Sequence, residues 1–105
     1  MNTVQRRLEG KIALIIGAGQ TPGPTMGNGR ATALLFAREG AQVLAADKNV
    51  ASAEETVALI QSEGGTAAAV ETDVTDESSI QRAVHDCTQR WNRLDIPHNN
   101  VGISV

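Results

Sequence analysis

Lys11-Ile12-Ala13-Leu14-Ile15-Ile16-Gly17-Ala18-Gly19 is the stretch that decides how this chain folds. Residues 12–16 are five apolar residues in a row, too few for a helix, and they end on a glycine. A run of this kind is a strand buried on both faces, as in a parallel sheet covered by helices. A loop rich in glycine and proline follows, and then residues 30–39, which are strong helix formers. Gly40 stands where a left-handed residue stops a helix.

The same alternation continues outward. Residues 42–46 read as a second strand closing on Asp47. Ser52 with Glu55 has capping-box spacing, so a helix is expected to start there. Ala53, Val57 and Ile60 fall on one face of it, and Gly64-Gly65 ends it. Residues 67–71 form a third strand, weak because alanine favours strands poorly. Asp76 can cap a further helix in which Ile80, Val84, Cys87 and Trp91 share a stripe. Residues 94–99 are the fourth strand. The order βαβαβαβ, with connections long enough for right-handed crossovers, predicts an α/β fold: a Rossmann-like open parallel sheet with helices on both faces and strand order 3-2-1-4.

Composition sets bounds on function. The 105 residues make one small domain, residues 1–105. Phe36 and Trp91 are the only aromatics, so the core must be built from Ala, Val, Leu and Ile. The net charge is -3 and no basic cluster exceeds Arg6-Arg7, which argues against nucleic acid as a partner. No apolar run approaches the ~20 residues that cross a bilayer, and the polar residues 1–10 do not resemble a secretory signal. No membrane association and a cytoplasmic location are therefore expected. Cys87 stands alone, so neither an internal disulfide nor a cysteine metal site can be built.

Four places carry candidate chemistry. The first is Gly17-Ala18-Gly19-Gln20-Thr21-Pro22-Gly23-Pro24-Thr25-Met26-Gly27-Asn28-Gly29, which leaves a strand and enters a helix. A dinucleotide pyrophosphate must approach the backbone closely, so side chains are unwelcome there, and a helix N-terminus favours its charge. The plainer alternative is a flexible loop. The second is Asp47, 18 residues after Gly29 and close to the ~20 residues expected for an acid that binds the adenosine ribose. A carboxylate there would repel a 2′-phosphate and so favours NAD over NADP, although Lys48 beside it could partly offset the repulsion; otherwise Asp47 is an exposed strand-end acid. The third is Asp73-Val74, which in this topology lies near the adenine, or else is a turn or cap pair. The fourth is Asn99-Asn100-Val101-Gly102, at the mouth of the crevice where open α/β sheets bind ligands, or else a plain turn.

Together with Gly10-Lys11-Ile12-Ala13-Leu14, Gly29-Arg30-Ala31 and Leu94-Asp95-Ile96, these motifs make the chain, over about residues 8–103, resemble the N-terminal half of the short-chain dehydrogenase/reductases. The resemblance implies a cofactor site in which Gly17, Gly19, Gln20, Asn28 and Gly29 hold the pyrophosphate. Asp47 would hold the ribose, Asp73 and Val74 the adenine, and Asn100 and Gly102 the nicotinamide-side ribose, while Asn99 braces the sheet. Three departures stand out. Ile16 occupies the place of a family threonine, residues 21–26 look like a six-residue insertion, and Pro97 lies within the fourth strand. Gly17 directly follows the strand and is the better match to the family's first glycine. Proline belongs on an edge strand, which the fourth strand would be here if nothing follows to cover it.

The family transfers hydride between a nicotinamide and an alcohol or carbonyl, using Tyr, Lys and Ser. Those positions are expected beyond residue 105, and the chain has no tyrosine. His85, on a helix, and His98, in the fourth strand, read as structural residues, and no catalytic residue is assigned. The chain is thus expected to be an N-terminal fragment of an NAD(P)-dependent short-chain oxidoreductase, unable to turn over alone. Its partner would be the dinucleotide. A small alcohol or carbonyl substrate and a homo-oligomer belong to the full-length form. The alternatives are a non-catalytic dinucleotide-binding or sensor module, and a decayed product that barely folds. If the fragment reading is right, sequencing the gene past the Val105 codon will show an in-frame Ser and a Tyr-x-x-x-Lys segment; an immediate stop codon would contradict it.

Overall fold

The computed structural model describes residues 7–19 and 28–99, with Asn28 described in its backbone only. Seven elements alternate: β1 (Ile12–Ile16), α1 (Asn28–Arg38), β2 (Gln42–Asp47), α2 (Val50–Ser62), β3 (Ala67–Glu71), α3 (Glu77–Trp91) and β4 (Ile96–Asn99). They form one four-stranded parallel sheet in the order β3-β2-β1-β4. The expected class, strand order and two-sided helical cover are all present.

Alternation along the strands divides the core into two layers. Ala13, Ile15, Val43 and Ala45 face α1 and α2, where they meet Ala33, Leu34, Ala53, Val57 and Ile60. Ile12, Leu14, Ile16, Leu44 and Ala46 face α3, where they meet Ala83 and Cys87, with Ile80, Val84 and Trp91 packed at the margin. All five residues of β1 are buried, as a strand covered on both faces must be. His98 contributes to packing: its ring meets Phe36 edge-on at a centroid distance of 5.9 Å.

Element ends show how local chemistry sets the boundaries. Gly40 ends α1 with φ +102°, a conformation that any β-carbon would strain. Asp76 caps α3 as expected, its side chain accepting the Ser78 N–H. The expected start of α2 at Ser52 is corrected. Asn49 is the cap, its side chain accepting from the Ser52 N–H, and the helix begins at Val50. Asparagine caps as well as serine does. Ser52 is instead buried in the first turn, and Glu55 reaches across to Arg30. Helix α1 likewise starts at Asn28, ahead of the expected Arg30.

Strand β4 starts at Ile96, two residues after the expected Leu94. The Asp95 carboxylate accepts the Ile12 N–H at 2.8 Å, and the Asp95 N–H returns a bond to the Ile12 carbonyl at 2.9 Å. A side chain therefore takes over the ladder at that level. Arg93, bonded to both oxygens of Asp95, holds its carboxyl below the usual aspartate range, helped by the Ile12 N–H. Pro97 is exposed and sits opposite Leu14. Among the described residues β4 pairs only with β1, so its proline lies on an outer strand, where a missing N–H is tolerated.

Leu44 is fully buried and Leu35 is 53% exposed. Leu44→Ala should therefore cost about 2–5 kcal/mol in urea unfolding, and Leu35→Ala no more than about 0.5 kcal/mol. Equal costs would contradict the layering described above.

Candidate functional site

Because all four strands run parallel, their carboxyl ends share one edge of the sheet. The register sets Ile16 beside Ala46 and Asn99, and Asp47 beside Glu71. The turn after β1, the end of β2, the loop after β3 and the end of β4 thus converge. Open parallel sheets bind ligands at this edge.

The turn after β1 is fixed by backbone bonds. The Gly17 and Ala18 N–H groups both donate to the Ala46 carbonyl, at 2.8 and 3.1 Å. Gly17 has φ +81°, which only glycine adopts without strain. The Gly19 N–H donates to Asp47 Oδ2 at 2.8 Å. A β-carbon on Gly19 would lie 2.5 Å from Ser52 Oγ and 2.8 Å from Asp47 Oδ2, so Gly19 packs against both with no room for a side chain.

Gly29 has a different task. A β-carbon there would lie 1.5 Å from the Gly17 carbonyl oxygen. Gly29 is therefore required for the close approach of α1 to β1, the packing role of the last glycine in a dinucleotide-binding turn.

Asp47 is half-buried, and each of its carboxylate oxygens accepts one backbone N–H. Its Oδ2 accepts from Gly19 and its Oδ1 accepts from the Asn49 N–H at 2.9 Å. It therefore joins the glycine turn to the β2–α2 loop. Asp73 is engaged in its own loop. Its Oδ1 accepts the Thr75 hydroxyl at 2.7 Å and the Thr75 N–H at 2.9 Å, and its own N–H donates to Ser79 Oγ at 3.0 Å. The Thr75 hydroxyl and then its N–H hold the Asp73 carboxyl below the usual aspartate range, with the Lys48 charge acting the same way. Val74 is half-buried and packs on the α3 layer. Asp73-Val74 thus has the turn role that its sequence allowed, at the edge where an adenine would lie.

Of the remaining expected site residues, Gln20, Asn100 and Gly102 lie outside the described residues, and Asn28 is known here only as the first residue of α1. Two residues that sequence reasoning missed belong to the site. Arg30, its side chain 12% exposed, donates to Thr56 Oγ1, the Ser52 carbonyl and Glu55 Oε1. Buried Thr56 donates to the Ala18 carbonyl at 2.8 Å. These bonds join residues 22 to 38 positions apart, a separation that leaves no local periodicity to read.

Among the described residues no cluster of three metal-ligating side chains occurs, and no helix is long and apolar enough to cross a membrane. Burial pushes the Cys87 thiol up to about 11, so it packs as an apolar group and is a poor nucleophile. A groove also opens at the opposite, amino-terminal edge of the sheet, lined by Glu9, Gly10, Gly40, Gln42 and Gly65.

Comparison with known proteins places this geometry. The short chain dehydrogenase family profile matches residues 11–105. A sorbitol dehydrogenase of Cereibacter sphaeroides is 43% identical over 97 residues, covering 92% of this chain and 34% of the relative. A hydroxysteroid dehydrogenase from Escherichia coli superposes with a TM-score of 0.85 at 35% identity, covering 97% of this chain and 41% of that one. A 7α-hydroxysteroid dehydrogenase solved with NADH and 7-oxo glycochenodeoxycholic acid superposes with a TM-score of 0.80 at 34% identity, covering 92% and 36%. The chain spans about a third of the length of the curated relatives it matches.

The Gly29 contact gives a direct test. Gly29→Ala should destabilise the chain by more than about 3 kcal/mol in chemical denaturation, since a backbone carbonyl cannot yield as a side chain does. Unchanged stability in this variant would show that α1 does not approach β1 this closely.

Proposed function

This chain belongs to the short-chain dehydrogenase family, and from that premise we propose that it holds a nicotinamide dinucleotide at the carboxyl edge of its sheet, with NAD preferred over NADP. The observation that carries the proposal is the bond from the Gly19 N–H to Asp47 Oδ2. It sets the glycine turn that suits a pyrophosphate directly beside an acid that suits a ribose diol. The bare backbone at Gly19, where Ser52 and Asp47 leave no room for a β-carbon, suits a ligand that must approach the backbone.

In this reading Gly17 and Gly19 leave the turn open for phosphate. Gly29 holds the start of α1 against it, with Gln20 and Asn28 completing the pyrophosphate contacts. The Asp47 carboxylate accepts hydrogen bonds from the ribose hydroxyls and repels a 2′-phosphate. Asp73 and Val74 border the adenine, and Asn100 and Gly102 line the nicotinamide-side ribose. When bound, the dinucleotide supplies or accepts hydride at its nicotinamide ring. Reduction or oxidation of an alcohol or carbonyl is proposed for the whole protein. The part of these 105 residues is to bind and orient the cofactor, and no catalytic acid or base is assigned within them.

Isothermal titration tests this assignment. The chain should bind NAD at least about tenfold more tightly than NADP, the scale expected for hydrogen bonds to a charged acceptor. Asp47→Ala should weaken NAD binding and bring the two affinities to within about threefold. Equal affinities in the unaltered chain would remove Asp47 from the ribose site.

A further inference from the structure

Ala18 and Gly19 share one peptide group, and the structure holds both of its ends. The Gly19 N–H is taken by Asp47 Oδ2, and the Ala18 carbonyl accepts the Thr56 hydroxyl at 2.8 Å. Thr56 lies within α2, where a threonine ordinarily turns its hydroxyl back to the carbonyl four residues earlier. That carbonyl, of Ser52, is 3.4 Å from Thr56 Oγ1 and already accepts Arg30 Nη2 at 3.0 Å. Arg30 Nε also donates to Thr56 Oγ1 at 2.8 Å. One guanidinium thus fills an acceptor site on the hydroxyl and occupies its competing partner. The single hydroxyl proton is left to point at Ala18.

We infer that Arg30 and Thr56 form a positioning relay that fixes the Ala18–Gly19 peptide plane, so that the glycine turn keeps its shape when a ligand draws on Asp47. The inference rests on the dinucleotide reading for its purpose, and on geometry alone for the relay. A ribose bound at Asp47 would compete for the oxygen that holds Gly19. The peptide would then depend on its other end, where Thr56 and Ala18 are both fully buried. A buried carbonyl stripped of its donor carries a desolvation cost, so losing the Thr56 hydroxyl favours reorientation of this peptide. Valine in place of Thr56 would fill the same space without the bond.

The test is amide hydrogen exchange by NMR on the full chain, free of ligand, with NAD titrated into parallel samples. Thr56→Val should accelerate exchange at Gly19 by about tenfold relative to the β1 and β2 amides, and weaken NAD binding by a similar factor. Thr56→Ser, which keeps the hydroxyl, should stay within about twofold of the unaltered chain on both readouts. Arg30→Met should also expose Gly19, because the hydroxyl is then released to Ser52. This variant keeps the Thr56 side chain in place should Thr56→Val fold poorly. A purely structural role would accelerate all amides together, and that result, or an unchanged Gly19, overturns the relay. Failure of the unaltered chain to bind any dinucleotide would instead refute the cofactor reading, since the exchange measurement uses no ligand.

Discussion

The contact between Gly29 and the Gly17 carbonyl is the constraint on which the rest of the site depends. A single methyl group at Gly29 would occupy the space of that oxygen. With hydrogen there instead, α1 can start directly over the end of β1. Its first residues then stand beside the turn, and Arg30, next in the chain, comes within reach of α2. The parallel register does the rest by bringing Asp47, Asp73 and Asn99 to the same edge. The geometry of the edge follows from one close backbone approach and one pattern of strand pairing.

Around that contact the polar groups are tied to one another. Asp47 binds two backbone N–H groups, Asp73 closes its own turn through Thr75, and the Ala18–Gly19 peptide is held at both ends. A glycine-rich turn is costly to order, because glycine loses more conformational freedom on folding than other residues do. Side chains from β2 and α2 supply the order that the turn cannot supply itself. Preorganisation of this kind lowers the ordering cost that a ligand would otherwise meet.

Much of this was legible in the sequence because burial leaves a local pattern. The apolar run of β1, the weaker alanine strand β3 and the Asp76 cap could each be read from a few adjacent residues, and they occur where expected. Where two local signals competed, the pattern misled. Asn49 and the Ser52–Glu55 pair are both respectable helix starts. Only tertiary structure decides between them, by burying Ser52 and giving Glu55 to Arg30. The same holds at Asp95, where a side chain replaces a strand bond and shortens β4. The Arg30–Thr56–Ala18 relay joins three elements and has no local signature. The separate tasks of Gly19, packed against Ser52 and Asp47, and Gly29, packed on Gly17, become visible only when the elements are placed together.

The central claim is that the carboxyl edge of the sheet is the dinucleotide site. It is tested most directly by following backbone amide shifts of the isotopically labelled chain as NAD is added. Saturable shifts are expected at Gly17, Gly19, Asn49 and Asp73, with Gly10, Gly40 and Gly65 at the opposite edge unmoved. Shifts concentrated around Gly10, Gly40 and Gly65, or none at the carboxyl edge at saturating NAD, would contradict it.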